Sequence, residues 1–390
     1  MPDIKTEELL LNIGPQHPST HGVLRVVVRT DGEIILGSEV HVGYLHRCFE
    51  KIAENVTWVQ VTPYTDRMDY LASMANNIAW SMAVEKLAGV KPPRRAELIR
   101  IVLAEMQRIA SHLMAIGTYG LDLGAFTPFL YCFRDREKIL KIFEKICGQR
   151  LNYNYIRPGG VPFDLTEEMI ADIEWFVGYF SPKLDEVNEL FSYNGIFIER
   201  TANVGILPAD MAISYGCTGP VLRGSGVKRD LRKDQPYGLY PEFEFDIPVG
   251  KGTKGVVGDC WDRYWVRVQE CFESIKILRQ ALPKLRESKA PEKDEKGEPL
   301  GTPNKYHMAE AFLRILKVPK GEAYVKVENP RGELGYYVVS DGTPKPYRVK
   351  ARAPSFHNIS VLPEISKGCM VADMVAIIGS IDIVMGEVDR

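Results

Sequence analysis

Between Asp66 and Cys147 apolar residues recur at helical spacing in three successive stretches separated by little chain, and this pattern constrains the fold more than any other. The first stretch, Asp66 to Leu87, puts Met68, Leu71, Met74, Ala75, Ile78, Ala79, Met82 and Ala83 on one helix face. Gly89 ends it, and Pro92-Pro93 opens a second helix from Arg94 to about Ile116, with Leu98, Ile101, Val102, Met106, Ile109 and Leu113 inward. A glycine-rich bend from Gly117 to Gly124 separates this from a third helix, Pro128 to Cys147. Connections this short make helices antiparallel neighbours, so the centre of the chain is expected to be a bundle.

Both ends of the chain read differently. Leu9 to Ile13 and Val23 to Val28 have strand character, and Thr30-Asp31-Gly32-Glu33 is a hairpin turn leading into a further strand, Ile34 to Val42. A short helix fits Cys48 to Glu54. Beyond the bundle, helices are expected at Glu167–Tyr179, Pro182–Phe191 and Asp259–Arg286, the last with Trp265, Val268, Phe272, Ile275 and Leu278 inward. Strands follow at Tyr324–Glu328, Leu334–Val339 and Tyr347–Ala351, then a helix at Val371–Ile378. The class is α+β, a central helical bundle with small antiparallel sheet regions near both termini. Residues 1–64 form a β-rich region, 65–287 the bundle with irregular loops, 288–304 a polar surface loop and 305–390 a C-terminal α/β region, integrated as one domain.

A net charge of −2 gives no electrostatic case for nucleic acid. No apolar run reaches the roughly 20 residues that span a bilayer, so contact with a membrane is expected to come through partners. The seven cysteines are scattered without a C-x-x-C pair, which argues for reduced thiols in a cytoplasmic setting and against a metal or iron–sulfur cluster of the chain's own.

Chemistry concentrates in Gly14-Pro15-Gln16-His17-Pro18-Ser19-Thr20-His21-Gly22, since four of the seven histidines fall in the first 46 residues. His17 and His21 stand at the offset that shares a metal on a helix. Pro18 and the flanking glycines oppose a helix there, and no third ligand is near, so proton donation suits the loop better. Tyr70 lies beside the apolar stripe of the first helix, and spacing alone favours reading it as an amphipathic core tyrosine with its hydroxyl satisfied. Asp122, between Leu121 and Leu123 in the glycine bend, is expected either to be buried with a partner or to cap a local turn. Arg47 and Arg67 read as surface charges, and Arg134 to Lys138 as a solvated helix face. From the residues alone the chain is an α+β protein with a histidine site near its N-terminus.

The motifs Gly14 to Gly22, Gly43-Tyr44-Leu45-His46-Arg47, Asp66-Arg67-Met68-Asp69-Tyr70, Arg157-Pro158-Gly159-Gly160 and Asp382 to Arg390 together resemble the quinone-site subunit family of respiratory complex I, the proton-pumping NADH:quinone oxidoreductase. That family is related to the large subunit of nickel–iron hydrogenases. The resemblance covers essentially the whole chain and implies a hydrogenase-large-subunit-like fold. It implies that His21 and Tyr70 bind the two ends of a quinone headgroup and supply protons, with Asp122 paired to His21. Loss of the His21 proton would leave the Asp122 carboxylate uncompensated and bias a conformational switch toward the pump. Arg47 and Arg67 would lie near the terminal iron–sulfur cluster of a neighbouring subunit. The chain itself would bind no cofactor, with quinone as substrate. Its partners would be other peripheral-arm subunits, above all the one holding that cluster, and the membrane-arm subunits, on the cytoplasmic side of the membrane.

A working hydrogenase needs cysteine ligands near both ends, and Asp66-Arg67-Met68-Asp69 and Asp382-Ile383-Val384-Met385 carry none. A ferredoxin-fed relative of the same complex and a non-catalytic scaffold remain the alternatives. One residue departs from the family pattern: Asn152 stands where several members have a histidine beside the cluster. An amide cannot titrate, so a cluster potential nearly independent of pH around neutrality is expected.

Overall fold

The computed structural model describes residues 8–16, 22–288 and 316–390; His17, Ser19, Thr20 and His21, and nearly all of the expected 288–304 loop, lie outside the described residues. The N-terminal sheet is antiparallel in the order β1 (Leu9–Ile13), β2 (Arg25–Asp31), β3 (Ile34–His41), with a register shift between Arg29 and Thr30. The C-terminal sheet is also antiparallel, β4 (Gly321–Asn329), β5 (Gly332–Ser340), β6 (Arg348–Arg352), with β5 central. Between them lie the helices Ser73–Ala88, Arg94–Asp122, Phe126–Cys147, Glu167–Val187 and Cys260–Glu287. The mixed class and both terminal sheets agree with the sequence expectation.

The Arg94–Asp122 helix is the axis of the bundle and is buried along most of its length. It runs straight through the expected glycine bend. A Cβ on Gly117 would sit 3.1 Å from the Cys132 Cβ, and one on Gly120 3.3 Å from the Ala125 carbonyl, so these glycines serve close helix packing and not a turn. Asp122 is therefore the last residue of this helix. Glu167–Val187 is likewise one helix with Pro182 inside it, continued by a π turn, Asn188–Ser192, where two helices were expected. In Cys260–Glu287 the expected inward residues Val268, Ile275 and Leu278 are buried, while Trp265 and Phe272 are only partly so. The Arg134–Lys138 stretch is not a solvated face: Asp135 is buried and accepts the Tyr179 hydroxyl at 2.8 Å, and Arg136 is buried beside it.

The two ends of the chain share one apolar cluster. Leu24 and, from the first sheet, Val26, Val28 and Ile35 pack with Met374, Ile377, Ile378, Met385 and Val388 near the C-terminus. Backbone bonds from Ile35 N–H to the Cys369 carbonyl (2.9 Å) and from Gly368 N–H to the Ile35 carbonyl (2.8 Å) tie β3 to the same region. The C-terminal residues are thereby brought onto the N-terminal loops.

Candidate functional site

The expected helix from Asp66 to Leu87 is broken. A short helix, Thr62–Asp66, ends at Arg67, and the next begins at Ser73. Asp69 is the reason: its carboxylate accepts the Leu71 N–H at 3.2 Å and its carbonyl the Ala72 N–H at 3.0 Å, a local turn that competes with helix. Tyr70 is consequently on a turn, half-buried, and not beside a helical stripe.

Asp69 itself is fully buried and is held from the far end of the chain. Arg331 Nη1 donates to both of its carboxylate oxygens, at 3.2 and 3.1 Å, and Asn329 Nδ2 to one of them at 3.1 Å. Arg331 also donates to Ser111 Oγ at 3.2 Å, to the Asp382 carbonyl at 3.0 Å and to Asp382 Oδ1 at 3.3 Å. Arg267 faces the other Asp382 oxygen at 3.6 Å and donates to the Ser380 and Ile381 carbonyls, at 2.8 and 2.9 Å. Two guanidiniums thus satisfy two carboxylates and the C-terminal carbonyls of the Val371–Ile381 helix. Arg331 sits at the β4–β5 turn, where Asn329 pairs with Gly332. A hairpin-tip arginine ordinarily reads as surface, and the sequence offered no cue to it, to Arg267 or to Asn329. The tip is driven inward at Gly332 (φ 131°), where a Cβ would lie 2.4 Å from Thr218 Oγ1.

Burial is the main cause that raises the Tyr70 phenol above its ordinary value; Asp69 adds to it, against Arg331 and Arg47. The phenol therefore keeps its proton at neutral pH and faces two guanidiniums that would stabilise its anion.

The C-terminal helix Met385–Asp389 assembles the remaining motifs. Asp389 accepts the Gly43 N–H at 2.8 Å and the Leu45 N–H at 2.6 Å, and His46 Nδ1 donates to its carbonyl at 2.6 Å. These bonds fix the loop that carries Arg47, whose guanidinium donates to the Arg67 carbonyl. Gly386 fits against the same backbone: a Cβ there would lie 2.8 Å from the Met68 carbonyl and 3.5 Å from Arg47 Nη2. Gly22, next to His21, packs 3.8 Å from Met385 Cγ by the same measure. Arg67 donates to the Pro63 carbonyl at 2.6 Å and lines an open groove of about 420 Å³ with Val56, Gln60, Pro63 and Tyr64. Arg47 and Arg67 are both exposed, as expected of surface charges, and neither forms an ion pair with a carboxylate among the described residues. The Arg157–Gly160 turn is held separately by the buried Glu85–Arg100 pair (2.6 Å), through Gly159 N–H and the Arg157 carbonyl.

Asp122 is half-buried, its Oδ2 3.6 Å from the Cβ position of Gly379. Ser111, which touches Arg331 below Tyr70, precedes it on the same helix by roughly 16 Å of rise. Asn152 has positive φ (57°) and a buried side-chain oxygen. Two residues on, the Asn154 N–H donates to Asp66 Oδ2 at 2.8 Å, and burial pushes the Asp66 carboxyl up to about 7. A titratable group is therefore bonded to the backbone two residues along the chain from Asn152.

Deeper in the bundle, Glu105, Arg108, His112, Arg223, Asp230, Arg232, Glu270 and Glu328 form a second buried charge cluster, with Arg223 bridging Glu270 and Glu328 at 2.7 Å each. Burial holds His112 below its usual value in spite of Glu270 at 2.9 Å. Its acids and guanidiniums satisfy one another, which is a structural role. Among the described residues no group of three His, Cys, Asp or Glu side chains is placed to hold a metal ion, and no helix is long and apolar enough to cross a membrane.

The class of protein so defined is a mixed helical and sheet chain in which widely separated motifs close over a buried charge cluster beneath one half-buried phenol. The family model for the respiratory-chain NADH dehydrogenase 49 Kd subunit matches residues 122–390. An NADH-quinone oxidoreductase subunit from Chlorobaculum tepidum is 52% identical over 389 residues, covering 100% of this chain and 94% of that one. Another NADH-quinone oxidoreductase subunit, from Cytophaga hutchinsonii, is 51% identical over 391 residues, covering 100% and 97%. The chain belongs to the 49-kDa subunit family of the respiratory-chain NADH dehydrogenase.

Proposed function

We propose that this chain is the quinone-reducing subunit of the peripheral arm of a proton-translocating NADH:quinone oxidoreductase, with a fold like that of the nickel–iron hydrogenase large subunit. The relatives' shared name supports the overall reaction. The observation that carries the site is the convergence of Gly22, the Gly43–Arg47 loop and the Arg67–Tyr70 turn on the Met385–Asp389 helix. In this reading a quinone headgroup lies between His21 and Tyr70, and Asp122 orients His21. Electrons come from an iron–sulfur cluster in a neighbouring subunit, close to Arg47 and Arg67. The complex places this arm on the cytoplasmic side of the membrane, docked to membrane-arm subunits.

The chemistry follows from charge. A quinone that accepts two electrons develops negative charge on both oxygens, and preorganised donors at those oxygens stabilise it. Tyr70, neutral at rest and faced by Arg331 and Arg47, can release its proton to one oxygen, while His21 serves the other. The buried Asp69–Arg331 pair holds the backbone from which the phenol projects. In the assembled complex, Tyr70→Phe and His21→Ala are each expected to lower quinone reduction about a hundredfold, with NADH oxidation by an artificial acceptor unchanged. Normal quinone reduction by an assembled His21→Ala, Tyr70→Phe complex would leave only a scaffold.

A further inference from the structure

Tyr70 sits on the 67–72 turn, between a helix that ends at Asp66 and one that begins at Ser73. The direction of a phenol on such a turn depends on how the residues flanking it are anchored. On one side, Asp69 is held by Arg331, whose Nη1 also donates to Ser111 Oγ at 3.2 Å. On the other side, Gln107 Nε2 donates to the Leu71 carbonyl at 2.6 Å. Gln107 and Ser111 are four residues apart on the Arg94–Asp122 helix and so share one face of it. Both shoulders of Tyr70 are therefore fastened to one stretch of the bundle axis, the Asp69 side through Arg331 and the Leu71 side by a single amide.

Gln107 is 1% exposed. Its amide faces the Tyr153 hydroxyl, which itself donates to the Arg150 carbonyl at 3.1 Å. Its Oε1 is buried with no hydrogen-bond partner among the described residues. Burying an amide oxygen unmet is unfavourable, so packing alone favours an apolar residue at this position. What the amide supplies is a donor to the Leu71 carbonyl, which lies outside both flanking helices and has no place in their ladders.

We propose that Gln107 is a positioning residue for the Tyr70 phenol: by holding the Leu71 carbonyl, its amide fixes the side of the turn that the Asp69–Arg331 pair leaves free. This rests on the reading of Tyr70 given above. Gln107 itself exchanges no proton and touches no substrate. With Leu71 released, the turn keeps its anchor at Asp69 and swings about it, carrying the hydroxyl away from the headgroup oxygen. A proton donor works only within hydrogen-bond reach, so a displacement of roughly an ångström lowers the rate steeply.

The test is Gln107→Met in the whole complex, made with and without Tyr70→Phe. Methionine keeps the length and volume of the side chain and removes the N–H. Positioning predicts a fall of about tenfold in kcat for quinone reduction, with NADH oxidation by an artificial acceptor unchanged. It also predicts that Gln107→Met leaves the residual activity of Tyr70→Phe unaltered, because no hydroxyl is left to misplace and effects that run through one group do not add. Wild-type kcat in Gln107→Met would overturn the proposal. So would an equal fall in both backgrounds, which marks a general loosening of the bundle. If Gln107→Met does not assemble, Gln107→Asn takes its place, keeping the amide but drawing it back by one methylene, and the same comparison decides. A Tyr70→Phe complex that reduces quinone at the wild-type rate removes the quinone-site reading as well, whereas an impaired Tyr70→Phe beside a normal Gln107→Met removes this inference alone.

Discussion

Arg331 Nη1 holds the carboxylate of Asp69 at 3.1 Å, across 262 residues of sequence, with both side chains sealed from solvent. The pair fixes the turn that presents Tyr70 and joins the β4–β5 hairpin to the bundle. Removing one member of a buried pair strands the other as an uncompensated charge, which costs about 3–5 kcal/mol. Arg331→Met is therefore expected to lower the unfolding free energy by that amount in urea titrations, and Asp69→Asn, Arg331→Met together to recover more than half. A loss below about 1 kcal/mol in the single variant would mean the pair is not structural.

Asp66 makes stability depend on pH in a stated direction. Its carboxyl is raised from 3.8 to about 7, chiefly by burial. Between those values the native chain holds a proton that the unfolded chain has released. Stability is therefore full below the unfolded value and declines as pH rises toward 7. Asp66→Asn, which keeps an acceptor for the Asn154 amide, should match wild type near pH 4 and exceed it at pH 8 by roughly 2–4 kcal/mol. Parallel melting curves for the two proteins across that range would contradict this.

The same carboxyl adds a titratable group to the stretch that carries Asn152, whose amide taken alone leads to an expected cluster potential nearly independent of pH. An amide contributes no pH slope to a neighbouring cluster's potential, but Asp66 bonds to the Asn154 N–H two residues away. A redox titration of the complex is expected to show a potential that falls as pH rises through about 7, with the slope flattened in Asp66→Asn and kept in Asn152→Ala. A slope unchanged in Asp66→Asn would show that another group carries it.

Asp389 is the clasp of the Arg47 loop. Asp389→Ala removes the acceptor for two amides, Gly43 and Leu45, at a cost of about 1–3 kcal/mol. Hydrogen exchange should show faster exchange confined to residues 43–47, while the amides of Arg94–Asp122 keep their protection. Unchanged exchange at Gly43 and Leu45 would mean that these bonds do not hold the loop.

Gly379 sets the distance between the helix ending at Ile381 and the one ending at Asp122. A Cβ there would stand 2.5 Å from Tyr119 Cδ2, and that ring is boxed in by Phe197 and Tyr264 at 5.7 and 6.2 Å between centroids. Gly379→Ala is expected to lose about 1–3 kcal/mol of stability. Quinone reduction should also fall in the assembled complex, because Asp122 is displaced with Tyr119. A neutral Gly379→Ala in thermal unfolding would show that Tyr119 can give way.

Periodic patterns made much of the fold legible. The apolar stripes of residues 94–116 and 128–147 became helices, and the alternating runs near both termini became the two sheets, because solvent exclusion imposes a period on any element with one buried face. Patterns failed where a local polar bond or a close contact overrode them. Asp69 broke a well-spaced stripe by bonding the backbone of Leu71, and Gly117 and Gly120 continued a helix because their missing Cβ atoms admit Phe129, Cys132 and Ala125. Of the proposed site, the resemblance named His21, Tyr70, Asp122, Arg47 and Arg67, and His21 lies outside the described residues.

By composition and spacing alone, the sequence determined a mixed helical and sheet chain, and its motifs pointed to the family it belongs to. Only the tertiary structure decided that Asp69 is neutralised by a hairpin arginine, that Asp389 fastens the Arg47 loop and that Glu387 is buried beside Asp69 and Arg331. The reason is physical. Periodicity records which face an element buries, a local property written in neighbouring residues. The charge a buried acid meets depends on which distant segments pack against it, and that is set only when the chain ends close on each other.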